Sequence, residues 1–126
     1  MELNLFFVAA AAASLATFAV HTFAGGAHAA RPLLAAQGLP RASRWLNYYT
    51  WHMATATLLI MAAGFAWAAV RPEAAEAAAL LTVMAAVFSP LCIWVALKGG
   101  VAPWRFPASW LFVIILAAGL GGFLFR

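Results

Sequence analysis

Few residues in this chain can do chemistry: three histidines (His21, His28 and His52), the single Cys92, Tyr48 and Tyr49, and a scatter of tryptophans. Neutral imidazole is the commonest biological metal ligand, so His21 and His52, on facing helices, could hold haem iron or another metal ion between them. The same two histidines with Tyr48, Trp51, Cys92 and Trp110 could instead line a pocket for an apolar molecule with a polar head, such as a quinone or a lipid. A third use is interhelical hydrogen bonding that only helps packing. A fourth is a histidine general acid or base in lipid chemistry, but no nucleophile-base pair is evident.

The residues that are missing narrow the choice. One cysteine leaves no intramolecular disulfide and no multi-cysteine metal or iron-sulfur site. The acids are Glu2, Glu73 and Glu76 alone, all expected at one membrane surface, which counts against a hydrolase built on paired carboxylates. Intramembrane Asp, Glu, Lys or Arg mark proton relays and ion pathways, and none falls between the expected membrane interfaces, Glu76 standing in the first turn of its span at the surface, so ion-coupled transport is not expected.

These residues must be positioned by membrane helices. Of the 126 residues, 67% are hydrophobic and 8% charged, far from the roughly half-apolar, quarter-charged balance of soluble domains. About 20 apolar residues cross the hydrocarbon core, and four stretches of that length are legible, at about 3–24, 45–70, 74–97 and 106–125. The first resembles a signal peptide followed by Ala27-His28-Ala29, but no Lys or Arg precedes it, so it reads as a retained helix. Gly25-Gly26 is expected to end or loosen this helix, although Ala27 to Ala30 could extend it by a turn. Residues 25–44, with Pro32, Gly38 and Pro40, and residues 98–105, with Gly99, Gly100 and Pro103, read as loops.

Trp45, Tyr48, Tyr49 and Trp51 cluster where the second span meets a membrane surface, as amphipathic aromatic rings do. Within that span Tyr48, His52 and Thr55 are spaced i, i+4, i+7 and form a polar stripe expected to face the other helices, with His21 opposite His52. Pro90, inside the third span, is expected to bend it. Gly119, Gly121 and Gly122 offer a surface for close helix approach.

The net charge of +4 rests on only seven cations, which suits membrane orientation better than nucleic-acid binding. One face receives Arg31, Arg41, Arg44, Lys98 and Arg105, and the other only Arg71 and Arg126. The positive-inside tendency then puts loops 25–44 and 98–105 in the cytoplasm and both termini outside. The expectation is an all-α, four-helix up-down bundle of the bacterial inner membrane, one domain over 1–126, with its third helix bent at Pro90. Its expected role is to hold a hydrophobic ligand or cofactor in an inner-leaflet pocket of His21, Tyr48, Trp51, His52, Cys92 and Trp110, in contact with membrane lipids. It would serve as a homo-oligomer or as a subunit of a larger complex, rather than as an enzyme in its own right. A bis-histidine haem or metal protein and a purely structural subunit are the alternatives.

Overall fold

The computed structural model describes residues 3–125. Helix makes up 88% of the described residues, and no strand occurs among them. Four helices carry the fold: α1 (Leu5–Ala35), α2 (Arg41–Val70), α3 (Ala75–Lys98) and α4 (Ala108–Leu124). The first two, and α3 with the single turn Pro72–Ala74 before it, are long and apolar enough to cross a membrane. The fourth is shorter, 17 residues, and is led in by the turn Pro103–Arg105.

The first helix does not stop at Gly25-Gly26. It runs on to Ala35, through a stretch, Val20–Ala30, in which the winding widens to the i to i+5 pattern of a π-helix. At its end the Arg31 N–H donates to the Gly26 carbonyl. An apolar medium offers no water to unpaired backbone groups, so the chain keeps its hydrogen bonds by widening the turn rather than by opening it. Pro32 lies where ordinary α winding resumes over Arg31–Ala35. The connection that remains is short, and Arg44 Nη2 donates across it to the Ala36 carbonyl. Pro40 then starts α2 at Arg41, a turn before the aromatic cluster.

Each helix packs against the next, and α1 also packs against α4, so the four close into a ring. The contacts run in opposite chain directions along the α1–α2 and α3–α4 pairs. Asn4 N–H meets the Ala69 carbonyl at 3.0 Å and His21 Nε2 meets the Trp51 carbonyl at 3.2 Å, so rising numbers in α1 face falling numbers in α2. Between α3 and α4, Ser89 Oγ donates to the Ser109 carbonyl at 2.8 Å, while Thr82 abuts Gly119.

Packing is uneven along the ring. At the end where α1 begins, Phe7, Met61, Phe65 and Ile115 are fully or almost fully buried, with Ala10, Ala78 and Ala85 between them. Gly122 is required there: a Cβ on it would lie 2.1 Å from Phe7 Cε1, inside any contact distance. Asn4 ties the same end together, its Oδ1 capping α1 through the Phe7 N–H at 3.1 Å and its Nδ2 donating to the Gly122 carbonyl at 2.8 Å. At the opposite end the widened part of α1 buries only Ala30, and the helices stand apart.

Candidate functional site

The gap left at that opposite end is a half-open cleft of about 770 Å³, bounded by the widened segment of α1, the middle of α2, the second half of α3 and the start of α4. A volume of this size lies within the roughly 300–1,000 Å³ of small-molecule pockets. Its walls are mostly apolar, with Leu58, Phe88, Leu91, Leu111 and Phe112 among the side chains that form them. Polar groups reach it from His21, His28, Cys92 and Arg105.

The histidines are set by their own helix and by α2. The His21 ring stacks on the Trp51 indole, with centroids 3.9 Å apart and planes 19° from parallel. Its Nε2 meets the Trp51 carbonyl, which also accepts from Thr55 Oγ1 at 3.1 Å. A carbonyl can only accept, so Nε2 carries the proton and Nδ1 of the neutral ring keeps its lone pair. His28 is fixed the other way round. Its Nδ1 is 2.8 Å from the Ala24 carbonyl and donates to it, which leaves Nε2 free. Such a backbone bond orients a ring for use by its second nitrogen.

Gly25 is what lets Trp51 take this place. A Cβ at position 25 would stand 2.6 Å from Trp51 Cη2, so the indole rests directly on the backbone of α1. The glycine read from sequence as ending or loosening the helix is a docking point for an aromatic ring. The composition of the stretch gives both readings equally, and only the position of Trp51 separates them.

On the far wall, Cys92 Sγ accepts a hydrogen bond from Ser109 Oγ at 3.4 Å, and Ser89 Oγ donates to the Ser109 backbone, so the α3 and α4 sides of the cleft are held together. Ser89 and Ser109 are both buried. Neither was singled out as a pair in the sequence, since serines twenty positions apart carry no periodic signal.

The expected site residues therefore divide. His21 and Cys92 line the cleft. Trp51 stands behind His21, and Tyr48 packs edge-to-face on His52 at 4.6 Å. His52 itself is exposed, contrary to the expectation that it turns inward, and Trp110 is exposed as well. The side of α2 that turns to its neighbours follows Tyr48, Trp51, Thr55 and Leu58, the alternating three-and-four spacing of a packed helix seam, and His52 falls beside it. The two histidines that share the cleft are His21 and His28, not His21 and His52. Among the described residues no group of three or more His, Cys, Asp or Glu side chains is placed to hold a metal ion. His28 and Arg105 line the cleft without having been among the expected site residues, because His28 shares the His21 face only if the helix continues past Gly25-Gly26 and Arg105 carries the signal of an orientation charge.

No protein-family model matches the chain, and no curated protein or solved structure matches it either. The functional reading therefore rests on the geometry of the cleft.

Proposed function

We propose that this protein is a four-helix, up-down bundle of the bacterial inner membrane whose cleft binds a hydrophobic or amphipathic ligand. In this reading both termini lie outside, α3 bends at Pro90, and the cleft belongs to the inner leaflet. The single observation that carries it is the cleft itself, about 770 Å³ of mainly apolar wall with polar groups from His21, His28, Cys92 and Arg105, among helices of membrane-spanning length. Binding sites for such ligands combine an apolar body with a few polar groups that fix orientation. The helix lengths and the five cations of one end against Arg71 at the other support the membrane placement and its polarity.

Holding a ligand for a partner complex suits this chain better than independent catalysis, because no nucleophile–base pair stands in the cleft among the described residues, and the Ser109 hydroxyl and one nitrogen of each cleft histidine are engaged in structural bonds. Ser109 Oγ is spent on Cys92, and His21 Nε2 on Trp51. The test is the absorption spectrum of the protein purified in mild detergent, together with metal analysis and mass spectrometry of extracted small molecules. A colourless protein carrying about one equivalent of a quinone or lipid supports the reading. A Soret band lost in His21→Ala would replace it with haem binding, and a preparation free of pigment, metal and ligand would leave only a packing role.

A further inference from the structure

Charge is distributed around the cleft in a way that bears on the ligand. Arg105 lies at its rim, three residues before α4, and His28 stands seven residues beyond His21 toward the same end. Arg31, Arg41, Arg44 and Lys98 belong to that end too, near the end of α1, in the first turn of α2 and at the end of α3. The sequence has only three acids, and Glu73 and Glu76 lie at the opposite end, where Glu73 pairs with Arg71 at 3.4 Å. No carboxylate of the described residues is therefore available to Arg105, and the cleft is an apolar groove with a cation at its rim and no internal counter-ion.

We propose, resting on the ligand-binding reading above, that the occupant is an anionic lipid. Its phosphate is held at the rim by Arg105, and its tail lies along Leu91, Phe88 and Phe112. A guanidinium matches a phosphate with paired donors, and charge-assisted bonds of this kind are about twice as strong as neutral ones. A neutral or zwitterionic head gives Arg105 no uncompensated partner. The tail explains why the walls are apolar, and the phosphate explains why the rim is cationic.

Native mass spectrometry of the full chain in neutral detergent tests this, with dioleoyl phosphatidylglycerol and dioleoyl phosphatidylcholine as probes. The expected result is one tightly bound phosphatidylglycerol per chain, with a Kd about tenfold below that of phosphatidylcholine. Arg105→Gln should abolish this preference, whereas Arg41→Gln, an exposed cation that does not line the cleft, should leave it intact. Since position 105 is exposed and precedes α4, the variant is expected to fold, and an unchanged Tm checks that it has. Equal affinity for the two lipids would overturn the inference and leave a cleft for apolar tails. A preference lost equally in Arg41→Gln would overturn it in favour of general surface charge. Displacement of phosphatidylglycerol by millimolar inorganic phosphate would show that the rim takes free phosphate, which also overturns it. If neither lipid binds, the ligand-binding reading fails together with its refinement.

Discussion

The imidazole of His21 lies flat on the indole of Trp51, 3.9 Å between centroids, while its Nε2 meets the carbonyl of the same residue. This double contact fixes one wall of the cleft, and it depends on the bare backbone at Gly25. Gly25→Ala should push the indole aside and cost about 1–3 kcal/mol, the range for overpacking. Gly26→Ala is the control: nothing lies within 4 Å of a Cβ there, so replacing glycine in a helix should be neutral or stabilising by up to about 1 kcal/mol. Thermal unfolding in detergent, followed by intrinsic fluorescence, compares the two. Equal Tm values for both variants would contradict the docking role of Gly25.

The closed end of the ring has its own test. Asn4→Ala removes the cap on the Phe7 N–H and the bond to the Gly122 carbonyl, and should cost about 1–2 kcal/mol. Gly122→Ala should cost at least as much, because Phe7 is held between Phe65 and Phe123 and has no free direction in which to move. Both are read as a fall in Tm, and a variant as stable as the parent would contradict this packing.

Cys92 reports on occupancy. Its Sγ lines the cleft and accepts from Ser109, so a small maleimide should label it slowly in the empty protein and more slowly still when the cleft is filled. Ser109→Ala should quicken labelling of the empty protein. If added lipid leaves the rate unchanged by mass spectrometry, the occupant does not reach the α3 wall.

Much of the fold was legible in the sequence, because long apolar runs with broken, cationic connections have one physical solution in an apolar medium. The second, third and fourth helices begin and end within a few residues of where composition puts them. The first did not end where Gly25-Gly26 suggested. Glycine is a poor helix former in water, but inside an apolar layer the backbone gains nothing by leaving the helix, and the missing Cβ served contact instead. The site was legible in part. His21 and Cys92, read from type and depth, line the cleft, and His52 does not, because the stripe Tyr48, His52, Thr55 departs at its middle member from the seam that Tyr48, Trp51, Thr55 and Leu58 follow. Arg105 and His28 escaped because their meaning depends on which helices stand apart, and no local pattern encodes that.

The proposed orientation rests on the charge distribution and can be checked in cells. With Cys92→Ser as background, a cysteine at position 38, where glycine has open space around it, should react only after the cytoplasmic side is exposed. Labelling by an impermeant reagent from outside would invert the topology and move the cleft to the other leaflet.

The central claim is that the cleft holds one hydrophobic or amphipathic molecule, and blocking it is the most direct measurement. Ala108→Trp and Ala24→Trp each place an indole in the cleft from a different helix, at positions that line it without being buried in the core. Intact-complex mass spectrometry of protein drawn gently from the membrane should show a single adduct on the parent chain and none, or far less, on either variant. An adduct retained at full stoichiometry in both blocked variants, with unfolding unchanged, would contradict the account.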